Sequence, residues 1–230
     1  MESTALTIRV LPNQDRSKLL KLLKDREATG IKLNLGCGLN HLAGCTNVDN
    51  NPECFPDECF DIEAANWPFE SDSVQYACAV NVFEHVKDLL GVLGELWRVC
   101  AHEAKVEIIV PACFHQSAFE DPTHLRFFGA SSWQFFDAEI YRGNTGWYSA
   151  DRFHFITEQA ETIIDEEGSS ELLEDLSILS KNRNNSPALI SFLRRHVQLF
   201  SIGIVSHYVY RMHAVKPLPP SKNAILNKYE

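Results

Sequence analysis

Strand and helix patterns alternate along the first half of the chain. Residues 74–80 and 106–110 are predominantly apolar, as buried strands are, and Pro111 ends the second of them. Between the two, apolar side chains recur at helical spacing over residues 87–100: Leu89, Val92, Leu93, Leu96, Trp97 and Cys100. A strand, a helix and a further strand in this order are typical of a βαβ unit. The pattern therefore predicts an α/β fold in which helices cover both faces of a mainly parallel sheet.

A glycine-rich turn follows the first predicted strand of this sheet. Residues 31–35 alternate apolar and polar side chains and lead directly into Gly36-Cys37-Gly38. Ligands of parallel sheets bind beyond the carboxyl ends of the strands, and glycine allows both positive φ and close approach of a ligand to the backbone. An ordinary strand-to-helix turn is the alternative, because glycine turns are common. The turn is therefore a candidate ligand site whose meaning depends on the residues after it.

The residues after the turn disfavour a dinucleotide as the ligand. The dinucleotide fingerprint requires a third glycine, where this chain has His41, and an acid about 20 residues further on, whereas Asp49 comes much sooner. An NAD-dependent dehydrogenase is disfavoured for these two reasons. Asp49 ends the predicted second strand and can accept two hydrogen bonds from a ribose diol. The pair Asp61-Ile62, in a predicted third strand at residues 60–62, can meet an adenine edge.

Short motifs continue in order from residue 31 to about residue 128. They are Leu33-Asn34-Leu35-Gly36-Cys37-Gly38, Val48-Asp49, Asp61 followed by Trp67-Pro68-Phe69 and Asp72-Ser73-Val74, Val82-Phe83-Glu84-His85-Val86, Glu95-Leu96-Trp97-Arg98-Val99 and Ile108-Ile109-Val110-Pro111. Each motif is weak by itself. Together and in this order they resemble the class I S-adenosylmethionine-dependent methyltransferases.

The resemblance implies a Rossmann-like, seven-stranded, mainly parallel sheet with the last strand antiparallel, and S-adenosylmethionine as the cofactor. Residues 153–156 and 208–215 would then supply the last two strands. The glycine turn would contact the methionine moiety and Asp49 would hold the ribose hydroxyls. The cofactor-binding residues implied in this way are Gly36, Cys37, Gly38, Asp49, Asn50, Asp61, Ile62, Asn81 and Val82.

Three features depart from the family pattern. Gln75 stands where the family often has an acid, and Ala101-His102-Glu103-Ala104 replaces a Lys-Pro-Gly-Gly turn. Asp49 follows Gly38 so closely that the helix between them must be shortened. We therefore expect cofactor binding to be retained, with an altered shape of the loop around residues 101–104.

The loop after the predicted fifth strand carries the candidate acceptor residues. Its segment 121–128, Asp-Pro-Thr-His-Leu-Arg-Phe-Phe, resembles a D-P-T-H-x-R-x-F segment of methyltransferases associated with surface-glycan and small-metabolite pathways. Methyl transfer to a hydroxyl requires removal of a proton, to which a neutral His is suited near pH 7. We predict His124 as the base and Asp121 as its orienting residue, with Arg126, His85 and His115 binding the acceptor. A structural role, in which Arg126 only pins the loop to a carboxylate, is the alternative.

Aromatic residues are dense in and after this loop. They would either form an acceptor pocket or pack a lid on the sheet, and they are Phe127, Phe128, Trp133, Phe135, Phe136, Trp147 and Tyr148. No metal site is predicted. The acids and histidines of residues 115–124 offer no i, i+4 pair on a clear helix, and Cys54 and Cys59 lack the spacing of a zinc pair.

Composition limits the partners. With 31 Asp plus Glu against 21 Lys plus Arg the formal charge is −10, which disfavours nucleic acid because binding phosphates requires a cationic surface. An odd number of cysteines, 7, and an N-terminus without a secretory pattern predict reduced thiols and a cytoplasmic location. No membrane span is predicted. The oligomeric state is not determined by the sequence.

The sequence therefore predicts an S-adenosylmethionine-dependent methyltransferase that O-methylates a small-molecule hydroxyl, such as that of a sugar or glycan precursor. The alternatives are N-methylation of a small molecule or RNA, and a non-catalytic cofactor-binding subunit. We expect an N-terminal lead-in at residues 1–30 with a helix capped by Asp15 and running to about Lys24. A catalytic domain at 31–216 with an acceptor loop at 112–150, and a C-terminal tail at 217–230, would follow.

Overall fold

The computed structural model describes residues 7–11, 16–137, 153–165 and 205–217. Part of the predicted acceptor loop, including Trp147 and Tyr148, lies outside these residues, as does nearly all of the predicted tail. The strands are β1 (Thr7–Leu11), β2 (Ile31–Leu35), β3 (Thr46–Asp49), β4 (Glu58–Cys59), β5 (Val74–Val80), β6 (Cys100–Pro111), β7 (Phe155–Asp165) and β8 (Val205–Ala214). The helices are α1 (Arg16–Leu20), α2 (Leu89–Val99) and α3 (Ser117–Glu120), with 3-10 turns at Asp25–Glu27, Pro52–Cys54, Phe83–His85 and Ser132–Phe136.

The described strands form one sheet of eight in the order β1-β7-β8-β6-β5-β2-β3-β4. Among them β8 alone runs antiparallel to its neighbours, β6 and β7, and every other pair is parallel. The predicted Rossmann-like, mainly parallel sheet with an antiparallel last strand is therefore confirmed. The edge strand β1, which pairs with β7, is an addition that the sequence patterns did not predict.

Four strands differ in extent from their sequence predictions, and two of them, β6 and β8, begin earlier than the predicted residues 106 and 208. The prediction of a third strand at residues 60–62 is wrong, because β4 is Glu58–Cys59. Both of its residues are exposed at the sheet edge, so no apolar pattern marks it. β7 extends well beyond the predicted residues 153–156. The prediction stopped short because Glu161 is polar, although it is buried in the strand with Arg211 Nη1 of β8 at 2.9 Å from its Oε1.

A buried carboxylate anchors the N-terminal segment to the sheet. A helix was expected over residues 15–24, but α1 ends at Leu20. The physical reason is Glu107 on β6, whose two carboxylate oxygens accept the backbone N–H groups of Lys24 and Asp25 at 3.0–3.2 Å. Those two N–H groups are therefore unavailable to a longer helix.

Glu107 is also the centre of a network across the sheet. Arg211 Nε donates to its Oε1 at 2.8 Å, and the Tyr76 hydroxyl donates to its Oε2 at 2.8 Å. Arg211 donates further to the carbonyl of Leu22 at 2.9 Å. Because these groups are buried, removing one partner would leave an uncompensated charge inside the protein. The network therefore fixes the segment that contains α1 against the sheet.

Apolar layers cover both faces of the sheet. α2 packs on one face, together with buried side chains of β2, β5 and β6. The segment around α1 covers the other face, where the packed residues are Leu19, Leu20, Leu22, Leu23, Leu42, Tyr76, Cys78, Val80, Ile109, Ile163 and Val209. The expected shortening after Gly38 is confirmed, because residues 36–45 contain turns and no helix.

The other two departures from the family pattern have structural substitutes. Gln75 Oε1 accepts the backbone N–H of Ile31 at 2.9 Å, which ties β5 to the start of β2. Residues 101–104 belong to β6, so an extended segment with Glu103 at φ +65° replaces the expected turn.

Candidate functional site

The glycine turn after β2 has a backbone conformation that side chains would not tolerate. Gly36 has φ +59° and Gly38 has φ +52°, both in the left-handed region. A Cβ on Gly36 would lie 2.5 Å from Val82 Cγ2, so the turn packs directly against the end of β5. The conformation of the turn is therefore fixed by its packing against Val82, and it requires glycine at position 36.

A cleft of about 390 Å³ opens beside this turn at the carboxyl ends of β2, β3 and β5. We call it the glycine-turn cleft; its lining residues are Arg16, Gly36, Asp49, Asn50, Phe60, Asp61, Ile62, Glu63, Asn81, Val82, His85, Val86 and Lys87. Seven of the implied cofactor residues are among them. Cys37 and Gly38 are not, and Cys37 is fully buried, which raises the pKa of its thiol to about 11.

The two aspartates of the cleft are held by backbone groups. Asp49 accepts the N–H of Gly38 on Oδ2 at 2.7 Å and the N–H of Asn51 on Oδ1 at 3.0 Å. Each oxygen of a carboxylate can accept a second hydrogen bond, so Asp49 still has one acceptor site on each oxygen. Asp61 Oδ1 accepts the N–H of Glu63 at 2.9 Å. Both carboxylates are thus fixed in orientation.

Arg16 is a functional candidate that the sequence reasoning missed. α1 brings its guanidinium to the cleft, where Nη2 donates to the carbonyl oxygen of Gly36. Burial lowers its pKa, and the nearby Asp49 carboxylate offsets part of that effect. No local signal marks Arg16, because it lies far upstream of the turn and only the anchored N-terminal segment brings the two together.

Glu63 and Lys87 also line the cleft and were missed. Glu63 Oε1 accepts the backbone N–H of Lys87, and that of Asp88 at 3.2 Å. This contact joins the loop after β4 to the start of α2. The two loops that border the cleft are therefore held together by one side chain.

Glu84, His85 and His124 form a compact cluster, of which His85 lines the cleft and Glu84 and His124 lie behind it. Glu84 is 2% exposed, and neither carboxylate oxygen has a hydrogen-bond partner. Burial raises its pKa to about 8, against smaller opposing effects of nearby backbone amides and Arg16. His124 Nε2 lies 3.9 Å from Glu84 Oε1, and the rings of His85 and His124 are 4.7 Å apart. Burial lowers the pKa of His85, and the neighbouring His124 ring lowers it further.

The contacts of His124 differ from those expected for a base oriented by Asp121. His124 Nδ1 is 3.0 Å from the carbonyl oxygen of Ala118, which fixes the proton on Nδ1. Asp121 Oδ2 is 3.9 Å from Nε2, beyond hydrogen-bond distance. Asp121 Oδ1 instead accepts the N–H and the hydroxyl of Thr123, at 2.8 and 2.6 Å. The carbonyl of Ala118 is therefore the orienting group, and Asp121 acts on His124 only through its charge.

The remaining predicted acceptor residues have structural partners. Arg126 donates from Nε to the carbonyl of Val86 at 2.7 Å and from Nη2 to that of Lys87. It therefore pins the loop, to carbonyl groups rather than to a carboxylate. His115 is buried, with Nδ1 2.6 Å from Ser117 Oγ, and lines neither the glycine-turn cleft nor the second cavity described next.

A second cavity of about 610 Å³, the aromatic cavity, is lined in part by Arg126. Its lining residues are Asp88, Leu89, Leu90, Leu125, Arg126, Phe127, Phe128, Ser132, Phe135 and Phe136. Some of the aromatic residues pack into the core below the loop, and others line this cavity, as expected for an acceptor pocket. Phe128 stacks on the fully buried Trp133 at 5.6 Å and is core, whereas Phe127 and Phe135 are exposed at 49% and 39% and form the rim.

Comparisons with known proteins agree with this fold. No protein-family model matches the chain, and a search of curated proteins finds no match. Among solved structures, an S-adenosylmethionine-dependent methyltransferase from Archaeoglobus fulgidus aligns with TM-score 0.57 and 13% identity over 86% of this chain and 91% of the other. YcgJ from Bacillus subtilis aligns with TM-score 0.51 and 15% identity over 87% and 97%. The chain therefore has the fold of class I S-adenosylmethionine-dependent methyltransferases.

The same fold also occurs with another reaction. The [4+2]-cyclase SpnF aligns with TM-score 0.52 and 13% identity over 86% of this chain and 81% of the other. Fold alone does not define the chemistry, so the function must be argued from the site. In the described part of the chain, no helix is long and apolar enough to cross a membrane.

Proposed function

We propose that the chain is a cytoplasmic S-adenosylmethionine-dependent methyltransferase that acts on the hydroxyl of a small molecule, such as a sugar or glycan precursor. The observation that carries the proposal is the glycine-turn cleft, where a glycine turn and oriented carboxylates meet at the carboxyl ends of the strands. The cofactor supplies a methyl group on a sulfonium: a C–O bond forms as the C–S bond breaks, giving a methyl ether, S-adenosylhomocysteine and a proton.

The polar groups of the cleft fit the amino-acid end of this cofactor. Gly36 lines the cleft, so its backbone is within reach of a bound ligand. The Asn81 side-chain oxygen is buried without a partner, on a residue at φ +52°, and suits an ammonium group. The Arg16 guanidinium beside the turn suits a carboxylate. The two charged groups of an amino acid therefore have complementary partners at one end of the cleft.

The nucleoside end has matching partners at the other side of the cleft. Asp49 retains an acceptor site on each carboxylate oxygen for the two ribose hydroxyls, with Asn50 beside it. Phe60, Asp61 and Ile62 line the adjoining wall, where an apolar surface and a carboxylate suit an adenine ring and its amino group.

The cluster that adjoins the cleft through His85 suits removal of a proton from the acceptor. With the proton of His124 held on Nδ1 by Ala118, its Nε2 lone pair is available as a base. Asp121 stabilises the imidazolium by charge, at 3.9 Å. His85 lines the cleft and is placed to contact the acceptor, while Arg126 fixes the loop that carries His124.

A labelled-methyl assay tests the proposal. Wild-type protein is incubated with S-[methyl-¹⁴C]adenosylmethionine and separate fractions of sugars, amines and RNA. We expect label in a hydroxyl acceptor, and a loss of kcat/KM of about 10- to 100-fold in Asp49→Asn, because hydrogen bonds to a charged group are lost. The exposed Asp72→Asn is the matched control and should be unchanged.

Other outcomes would contradict the proposal in distinct ways. Label found only in the amine or RNA fraction would show that the acceptor is not the hydroxyl of a small molecule. Tight S-adenosylhomocysteine binding with no transfer to any fraction would favour a non-catalytic binding subunit. Full activity of His124→Ala would exclude His124 as the base.

A further inference from the structure

The cluster of Glu84, His85 and His124 has the composition and spacing of a metal site. One ligand atom from each residue lies within 4.8 Å of the other two. Two imidazoles and one carboxylate are a ligand set used for first-row transition metals. At metal–ligand bonds of about 2.0–2.1 Å, neighbouring ligand atoms lie about 3.4 Å apart in a tetrahedral site, so small side-chain rotations would complete it.

Both histidines are held in the tautomer that a metal requires. His124 Nδ1 donates to the carbonyl of Ala118 at 3.0 Å. The Thr123 hydroxyl donates to Asp121, so it accepts from His85 Nδ1 at 2.9 Å. Each Nε2 therefore keeps a lone pair available. Metal-binding histidines generally donate the other ring N–H to a carbonyl or carboxylate in this way.

The third ligand, Glu84, is a buried carboxylate without a hydrogen bond. Both of its oxygens are inaccessible and unpartnered, on a side chain that is 2% exposed. A buried carboxylate is costly unless it is paired or coordinates a metal. Two charged side chains act on Glu84: Arg16 is a nearby positive charge, and Asp121 adds a negative one that a bound cation would meet.

The backbone brings the ligands together. The carbonyl of Glu84 accepts the N–H groups of Leu125 and Arg126 at 2.8 and 3.1 Å, directly after His124. The 3-10 turn that carries Glu84 and His85 is thereby joined to the acceptor loop. The cluster is therefore built by the fold and does not depend on a chance arrangement of exposed side chains.

We propose that Glu84, His85 and His124 bind one divalent first-row transition-metal ion, and that this ion binds the acceptor hydroxyl in the methyl transfer proposed above. Three protein ligands leave a coordination position open, as in catalytic sites. Coordination lowers the pKa of a bound hydroxyl, as it does for water. With the ion bound, the Nε2 lone pair of His124 would be a metal ligand, which replaces the role of base given to His124 above. The hydroxyl proton would pass to solvent through the exposed Asp121 before the oxygen attacks the methyl carbon.

Metal binding is measured first, without any activity assay. Protein stripped with a chelator is reconstituted with Zn²⁺ or Co²⁺ and desalted, and bound metal is determined by mass spectrometry and titration calorimetry. We expect one equivalent per chain, and visible d–d bands for Co²⁺. Glu84→Gln, His85→Ala and His124→Ala should each weaken binding about 100-fold or more. His102→Ala, at a half-exposed histidine on β6, is the matched control and should bind as wild type.

The variants must be shown to be folded, so circular dichroism and thermal unfolding are recorded for each metal-free protein. If a variant fails to fold, the Co²⁺ spectrum of the wild-type protein still shows whether the ion is bound by cysteine. A thiolate-to-metal charge-transfer band would assign the ion to cysteine, such as exposed Cys59, and would overturn the proposal. Absence of stoichiometric binding by the wild type, or equal binding by folded ligand variants, would also overturn it.

A separate measurement distinguishes this inference from the proposed function on which its catalytic part rests. S-adenosylhomocysteine affinity is measured with and without metal. We expect stripped protein to bind S-adenosylhomocysteine but to lose methyl transfer, which Zn²⁺ or Co²⁺ restores. Undiminished transfer by the stripped protein would overturn the catalytic role of the ion. Metal binding without S-adenosylhomocysteine binding would instead contradict the proposed function.

Discussion

The proposed cofactor side of the glycine-turn cleft and the proposed acceptor side, at the cluster that includes His85, are built in different ways. On the cofactor side, residues next to strand ends determine the shape: Asp49 ends β3 and fixes the turn after β2 through Gly38 at 2.7 Å. On the acceptor side, Glu84 and His124 belong to separate loops that are joined through backbone hydrogen bonds. The first side is local in sequence and the second is not. Substitutions on the two sides should therefore affect different measured quantities.

The largest expected effect is on the cofactor side. Gly36→Val should weaken S-adenosylhomocysteine binding more than about 100-fold, because the position is at φ +59° and its Cβ would lie 2.5 Å from Val82. Titration calorimetry measures this. The control is Gly94→Ala in α2, where an added Cβ meets no atom within 4 Å. It should leave affinity unchanged and raise the free energy of unfolding by roughly 0.5–1 kcal/mol. Unchanged affinity in Gly36→Val would exclude the turn as a binding element.

An intermediate effect is expected on the acceptor side. Arg126→Gln removes hydrogen bonds to Val86 and Lys87 and loosens the loop that carries His124. We expect kcat to fall about 10- to 30-fold while S-adenosylhomocysteine affinity changes by less than about twofold. Steady-state kinetics and calorimetry on the same preparation check this. The surface variant Lys105→Gln should change neither quantity. A parallel loss of cofactor affinity in Arg126→Gln would show that the two sides are not separable.

The smallest expected effect concerns Arg16, on the cofactor side. Arg16→Gln should raise the Kd of S-adenosylhomocysteine about tenfold, since one charge-assisted contact is lost, and leave kcat at saturating cofactor nearly unchanged. Lys21→Gln, on the exposed side of the same segment, is the matched control. A fall in kcat without a change in Kd would place Arg16 in the acceptor chemistry instead.

The sequence predicted what depends on neighbouring residues. The central strands, α2 and the antiparallel last strand follow from apolar periodicity and from the family resemblance, and all are present. β4 was misplaced because an exposed two-residue edge strand has no apolar pattern. α1 was predicted too long because Glu107, distant in sequence, takes the N–H groups that would extend it. These errors arise from long-range contacts that no local pattern records.

In the candidate site, too, residues next to strand ends were predictable, whereas residues brought in by long-range contacts were not. Asp49 and Val82 were predicted at the cleft because Asp49 ends β3 and Val82 follows the end of β5, and both line it. Arg16 was missed because its contact with Gly36 depends on the folded N-terminal segment. The prediction of no metal considered only spacing within a helix or a cysteine pair. Glu84 and His124 are 40 residues apart and meet through the fold, so local spacing had no means of revealing them.

The central claim is that the glycine-turn cleft binds S-adenosylmethionine. The most direct measurement is titration calorimetry of the wild-type protein with S-adenosylhomocysteine and, separately, with NAD. We predict saturable binding of one S-adenosylhomocysteine per chain and no saturable binding of NAD. Binding of NAD without binding of S-adenosylhomocysteine, or binding of neither, would contradict the account.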